Sequence, residues 1–431
     1  MLTDILFGIF GLAVLVGIAI VFSNNRSAIS WRIVSIGIGL QLIFAVFVLL
    51  TPYGAVVFNA IGQFFVKIIG FTNEGSKFIF GVLADPGAFE KGFPGRGLVF
   101  AFYVLPTIIF FSSLMSVLYH LGAMQKIVQG MAWVMAKSMR VSGAESISVA
   151  ANVFIGQTEA PLVVRPYISP MTKSELLTMM VGGMATIAGG VLAAYVSLLG
   201  GSDPAQQLFY AKHLLSASIM AAPATIVIAK ILMPETEESK TMGEVKVNVE
   251  KTAANIIDAA ATGAADGLKL ALNVAGMLLA FIALIAMADW VISGVLTDWF
   301  GLAIKGNPVT LEVLLGYVLS PIAWVIGVPW HDAVNVGSLI GQKIIINEFI
   351  AYLHLSELIP TGILSPKAIL ISTYALCGFA NFSSIAIQIG GIGGIAPDRR
   401  ADLARFGLRA VLGGSLATMM TATIAGVLIS L

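Results

Sequence analysis

Gln157, Thr158 and Glu159 stand in the stretch FIGQTEAPLVV, residues 154–164, between strongly apolar flanks, in a chain where only 11% of residues are charged. They offer an amide that donates and accepts, a hydroxyl, and a carboxylate that only accepts when ionised, a set that matches a planar heterocycle carrying N–H and C=O groups. A second set lies in the C-terminal half: Glu348 with Asn347, Asn381 and Ser384 offers the donors and acceptors suited to a polyhydroxyl ligand such as ribose. An unpaired carboxylate in apolar surroundings costs at least about 2.5–3.5 kcal/mol on the lenient insertion scale, so each glutamate needs a local reason. Ligand recognition is one reason and the capping of helix ends at loop tips is the other. The recurrence of a polar set in equivalent places of both halves favours recognition. Asn152 and Thr186 add oxygens which, with carbonyls released from helical pairing, can hold a small cation; Asn and Thr also hydrogen-bond helices to one another, and the residues alone leave both readings open.

The elements that position these groups are set by an apolar composition. Of 431 residues 58% are hydrophobic, and apolar runs of membrane-spanning length recur from end to end, which predicts an all-α polytopic membrane protein. Eight spans are expected near 3–22, 33–51, 98–119, 175–199, 213–232, 268–292, 367–395 and 407–430. The first lacks a basic leader and carries Asp4, so it reads as a retained helix and not a cleaved signal. FNAIGQFFVKIIGF (58–71) and MQKIVQGMAWVMAKSMR (124–140) mix polar residues at helical spacing, as interfacial helices do. A net charge of +1 leaves no basic surplus for a nucleic-acid partner. The single Cys377 excludes an intrachain disulfide, and the four histidines never approach the spacing of a metal site.

Two regions do not read as ordinary spans. At 144–169 two apolar runs of about ten residues, each too short to cross, meet at Gly156-Gln-Thr-Glu-Ala-Pro161; at 319–353 the chain again turns around polar residues. Both read as re-entrant hairpins, whose irregular backbone must be buried in protein or face a water-filled cavity. Each is followed by an apolar stretch with a polar, glycine-rich interruption: VGGMATIAGGVLAAY after the first, CGFANFSSIAIQIGGIGG after the second. With the N-terminus outside, the inner segments carry 15 Lys and Arg and the outer segments 6, so both termini are expected to face the periplasm or exterior. The hydrophilic segment 234–252 is then a cytoplasmic linker, and the two hairpin-plus-broken-helix units are inverted repeats, the arrangement by which secondary transporters build midplane sites.

At these residues a family resemblance becomes specific. Gly341-Gln-Lys-Ile-Ile-Ile-Asn347-Glu348-Phe349-Ile350-Ala351-Tyr352 resembles the signature GxKx3NEFVA(Y/M/F) of the concentrative nucleoside transporters, with Ile350 in place of valine; GQTEAPLVVRPY and CGFANFSSIAI resemble further segments of that family. The resemblance runs over essentially the whole chain and implies nucleoside import, not catalysis. It places Gln157, Thr158 and Glu159 at the nucleobase with Val191 and Leu270 in apolar contact, Glu348, Asn381 and Ser384 at the ribose, and Phe379 in the pocket wall. It implies a sodium ion as coupling ion on the side chains of Asn152 and Thr186 and the carbonyls of Ile155 and Ile187. Thr186 departs from the serine of sodium-coupled members but keeps the hydroxyl, which favours sodium over protons. A homotrimer in the cell's inner (plasma) membrane lipid is implied as well, in which a scaffold stays still while a transport domain carries the site across. On that division 1–143 is mainly scaffold, 144–233 the first transport repeat, 234–266 linker and amphipathic segment, 267–318 scaffold, and 319–431 the second transport repeat.

Other residues weigh less. His331-Asp332 reads as a turn before it reads as a proton-accepting pair, Lys343 as a residue that pairs with a carboxylate or snorkels, and Asp398-Arg-Arg400 as a positive-inside anchor. Two rival classes remain. A channel needs a continuous polar lining, whereas the polar groups here cluster at two tips. An intramembrane enzyme acting on a nucleotide-linked lipid needs a nucleophile with a paired base, which the chain does not show.

Overall fold

The computed structural model describes residues 2–85, 87, 99–243, 253–304 and 307–430. Nearly all regular backbone among them is helical; one short ladder pairs Ala303–Ile304 with Asn307–Pro308. Three long helices come first, α1 (Leu2–Val21), α2 (Trp31–Leu50) and α3 (Pro52–Phe80), followed by α4 (Leu105–His120) and α5 (Ala123–Met139). The first expected hairpin consists of α6 (Gly143–Asn152), an irregular turn at 153–159, and a tight helical return from Ala160 to Ile168. The first broken helix is α7 (Lys173–Ala185) and α8 (Gly189–Gly200), interrupted at 186–188. Then come α9 (Pro204–Leu232) and α10 (Ile256–Ser293).

In the second half α11 (Leu311–Val325) turns back at 326–332 into α12 (Ala333–Ile345), and α12 reverses again at Ile346–Asn347 into α13 (Glu348–Leu358). The expected hairpin at 319–353 thus contains two reversals. Gly327, at φ +103°, serves the first, and Asn347 caps the helix that leaves the second, its Oδ1 accepting from Ile350 N at 2.9 Å. The second broken helix is α14 (Pro366–Ala375) and α15 (Phe382–Ile395), interrupted at 376–381, and α16 (Arg400–Leu428) closes the chain.

Eight helical segments are long and apolar enough to cross a membrane, and they are not quite the eight expected. Pro52–Ala84 qualifies by length and composition, although its polar spacing reads as interfacial. The stretch 367–395 divides into two helices each too short to cross alone, because the break at 376–381 releases six residues from helical pairing. Burial separates an inner set from an outer one. The spans containing α7 with α8, α9 and α16 are 89%, 83% and 89% buried, against 17–28% for α1, α2, α3, α4 and α10, so the first broken helix, α9 and α16 run through the protein core and the latter helices face outward. α4 packs mainly along α10, whereas α1 and α2 pack on α9 and α16.

The two breaks cross each other. Gly378 has φ +156°, and a Cβ there would lie 2.7 Å from the carbonyl oxygen of Met184 and 2.9 Å from the carbonyl carbon of Ala185. Gly183 plays the same part for the first hairpin, since a Cβ on it would come within 2.8 Å of Gln157 Cβ.

At the opposite end of these elements, α6 and α7 each open with a capping box, Ser142 with Glu145 and Thr172 with Glu175. The buried Lys230 lies 2.9 Å from Glu145 Oε2 and 3.2 Å from Glu235 Oε2, and its Nζ donates to Ser174 Oγ at 2.9 Å. Ser239 donates to Glu175, and Gly143 N donates to Thr241 O at 2.8 Å. The expected linker is therefore docked on the helix ends over 234–243; its remainder, 244–252, lies outside the described residues.

The crossing predicts that Gly378→Ala destabilises the fold by about 1–3 kcal/mol, since the residue has both a glycine-favoured φ and no room for a methyl group. Thermal unfolding of the purified protein in detergent measures it, and an unchanged melting temperature would show that the two breaks do not need this close approach.

Candidate functional site

The irregular turn of the first hairpin exists because Gly156 lets Glu159 fold back: a Cβ on Gly156 would sit within 2.2 Å of Glu159 Oε2. This leaves Gln157 buried, Thr158 half-buried and the Glu159 carboxylate exposed. One face of α15 lies along the tip. Gln157 Nε2 donates to Ser384 Oγ at 3.0 Å, Gln388 Nε2 donates to Gln157 Oε1 at 3.0 Å, and a Cβ on Gly391 would touch Thr158 Cγ2 at 2.7 Å. Residues 384, 388 and 391 share a face at helical spacing.

Glu348, the first residue of α13, is buried and receives two hydrogen bonds. Tyr195 OH donates to Oε1 at 3.1 Å and Asn381 Nδ2 to Oε2 at 2.8 Å. Asn381 makes two contacts at once. Its Oδ1 caps α15 by accepting from Ser384 N at 2.9 Å, while its amide nitrogen holds the carboxylate. The tips of the two hairpins are thus joined by one chain of polar contacts, Gln388–Gln157–Ser384–Asn381–Glu348–Tyr195. The buried Nδ2 of Asn347 and Oε1 of Gln388 have no protein partner, so polar capacity beside this chain remains for a ligand or water.

A second cluster lies behind the first hairpin. Asn152 donates from Nδ2 to Ser148 O at 2.9 Å, and its buried Oδ1 meets no donor. Thr186, at the α7–α8 break, donates to Gly182 O at 2.8 Å and keeps its lone pairs. A Cβ built on Gly182 would lie 3.6 Å from Asn152 Nδ2 and 3.6 Å from Thr225 Cγ2, which puts all three elements side by side; the Oγ1 of Thr225 is also buried without a partner. Gly189 N donates to the carbonyl of Phe154 at 3.0 Å, and among the described residues no backbone donor reaches the carbonyls of Ile155 or Ile187. Orphaned neutral oxygens of this kind fit a monovalent hard cation better than a transition metal, which would draw on imidazole or thiolate.

Of the other expected residues, Val191 is buried on α8 and Phe379 is partly buried in the second break, its carbonyl accepting from Asn381 N at 2.9 Å. Leu270 is 37% exposed on α10, a helix that packs chiefly along α4, and no contact described joins it to the first hairpin. Tyr195 and Gln388 were missed. Gln388 carried a signal, a lone amide one turn after Ser384 in an apolar helix; Tyr195, within VLAAYVSLLG, carried none. Lys343 neither snorkels nor pairs with a carboxylate: it is buried and donates to Ala375 O at 2.8 Å and Thr418 Oγ1 at 3.0 Å. His331 and Asp332 do lie in the turn that precedes α12, 3.3 Å apart, but the Asp332 carboxylate is spent on Ser365, whose N and Oγ donate to it at 3.2 and 2.6 Å.

The geometry agrees with what the chain is similar to. Residues 10–83 and 213–426 match the family models described as the N-terminus and C-terminus of a Na+ dependent nucleoside transporter, and residues 101–202 match one described as nucleoside recognition. The chain is 46% identical to the uncharacterized transporter YutK of Bacillus subtilis, over 99% of this chain and 100% of that one. It is 40% identical to mouse sodium/nucleoside cotransporter 1, over 97% of this chain and 63% of that protein. Among solved structures it superposes on CNTnw in an inward-facing substrate-bound state with a TM-score of 0.91 and 44% identity, covering 99% of this chain and 98% of that one. Whole-length identity, three family models in order and a shared helical fold all agree, and the chain belongs to the concentrative nucleoside transporter family.

Proposed function

We propose that the protein imports nucleosides by symport with sodium, with alternating access of the elevator type, and that the base is read by Gln157, Thr158 and Glu159 and the ribose by Glu348, Asn381 and Ser384. The observation that carries this is the continuous polar chain between the two hairpin tips: it converges donors and acceptors of two different chemistries on one place at the crossing of the broken helices. Glu348 is oriented by Tyr195 and Asn381 so that its remaining lone pairs can accept from two ribose hydroxyls, and Gln157 is held by Ser384 and Gln388 with an N–H and a lone pair to spare. Phe379 and Val191 supply apolar wall. Leu270 would reach the base only from α10, across the boundary between the helices read as scaffold and those read as transport repeats.

The sodium reading rests on the orphaned Asn152 Oδ1, the Thr186 hydroxyl and the free carbonyls of Ile155 and Ile187, which lie on the hairpin and the break that an ion would draw together. An ion that binds the substrate-competent arrangement better than the relaxed one raises nucleoside affinity by a coupling typically about 1–3 kcal/mol. The elevator reading is supported by the division of the helices into an inner broken-helix body and an outward-facing α4–α10 pair, and by CNTnw, a relative solved in inward-facing and, as a variant, outward-facing states. A homotrimer in the inner membrane, embedded in lipid, with both termini outside, is part of the same proposal.

Radiolabelled uridine uptake into proteoliposomes with imposed sodium or proton gradients tests the whole reading. Sodium-driven, trans-stimulated uptake is expected; uptake that follows pH and ignores sodium would move the coupling to a proton. In binding assays Glu348→Gln should weaken uridine by roughly 10- to 100-fold, more than Gln157→Ala, since charge-assisted hydrogen bonds contribute roughly 1.5–3 kcal/mol each. Wild-type affinity in Glu348→Gln would remove this residue from the site. Asn152→Ala or Thr186→Ala should raise the sodium concentration for half-maximal uptake, with a smaller effect at saturating sodium. Unchanged sodium dependence in both would place the ion elsewhere.

A further inference from the structure

Two buried lysines differ in kind. Lys230 is neutralised by Glu145 and Glu235, whereas Lys343 has no carboxylate within salt-bridge distance among the described residues and is surrounded by neutral oxygens. One of these is the carbonyl of Ala375, the last residue of α14, which is freed of its helical partner by the break at 376–381 and carries the negative end of that helix's dipole. The other is the hydroxyl of Thr418 on α16, the helix that follows the second broken helix. Ala375 O and Thr418 Oγ1 at a helix break, 2.8 and 3.0 Å from a cationic centre supplied by a hairpin, form a coordination set and not an ion pair.

The first repeat has the corresponding parts in the corresponding order. There the hairpin helix α6, the break after Ala185 and the following helix α9 bring together Asn152, Thr186 and Thr225, but among the described residues no cationic side chain bonds to them, and the oxygens of Asn152 and Thr225 are left over. We infer that the Lys343 ammonium is a tethered cation that does in the second repeat what the exchangeable ion does in the first: it clamps the hairpin to the unwound end of the broken helix and so positions Glu348. The second hairpin is then locked by a charge that cannot dissociate, and ion binding acts on the first hairpin alone. Lys343 touches no ligand in this scheme. It is a positioning residue, five residues before Glu348 on the α12–α13 hairpin. The inference rests on the nucleoside-binding reading above.

The test uses purified full-length protein and exogenous methylammonium, a probe of the same charge and a size that fits the space left by a truncated lysine. Lys343→Ala at saturating sodium should lose uridine affinity by roughly 10-fold or more, the scale of one charge-assisted hydrogen bond. Methylammonium should restore part of that loss and raise the melting temperature of Lys343→Ala, and do neither to the wild type. Lys343→Met, which keeps the apolar stem and fills the space, should be weakened without rescue. The inference is overturned by wild-type affinity in Lys343→Ala, by wild-type affinity in Lys343→Met, or by a loss in Lys343→Ala that methylammonium leaves untouched in both affinity and melting. Absence of uridine binding by the wild type would instead sink the nucleoside reading, and the methylammonium shift in melting temperature would still decide whether a cation is required at this place.

Discussion

The structure depends on unpaired backbone inside an apolar body. Where α7 stops at Ala185 and α14 at Ala375, carbonyls lose their helical donors, and in a membrane no water is on hand to replace them. The protein lays the two breaks against each other at Gly378 and closes each with a hairpin: Phe154 O accepts from Gly189 N, an amide at the start of α8, on one side, and Lys343 Nζ donates to the freed Ala375 O on the other. The polar side chains at the hairpin tips sit where they do because the tips reach the breaks.

The same constraint explains what the sequence disclosed. Polar residues between short apolar runs mark hairpin tips, so Gln157–Glu159 and Glu348 were legible with no structure, as were the glycine-rich interruptions at 186–190 and 376–391. What stayed hidden is what depends on packing between distant segments. Tyr195 is an ordinary apolar-helix tyrosine until α8 packs against α13 and its hydroxyl comes within 3.1 Å of Glu348. Lys343 lay in plain view inside a motif, yet the residues alone offered only a carboxylate or the interface as its partner, because a freed helix carbonyl is a backbone group and leaves no trace in the sequence. The double reversal at 326–332 and 346–347 was compressed into one hairpin for a similar reason, since polarity marks where a chain turns but not how often.

Asn381 shows how economical such a site is. With one end it caps α15 and with the other it holds the Glu348 carboxylate, so one side chain serves both a helix end and a hairpin tip. The orientation of the Glu348 carboxylate is thereby coupled to the start of the helix whose next turn carries Gln388 and grips the amide of Gln157. The contacts of Glu348 and of Gln157 are therefore one mechanical unit, in which displacement of α15 disturbs both.

The docked segment 234–243 bears on how the chain can be cut. Because Thr241 and Ser239 bind the opening turns of α6 and α7 while Glu235 shares Lys230 with Glu145, these ten residues are a structural part of the N-terminal half, a strap across the ends of its helices and not a loose tether. Two separately synthesised halves would be complementary fragments only if the division fell beyond Gly243. A division nearer α9 would hand the strap to the wrong fragment and leave the buried Lys230–Glu145 pair and two helix ends without their cover.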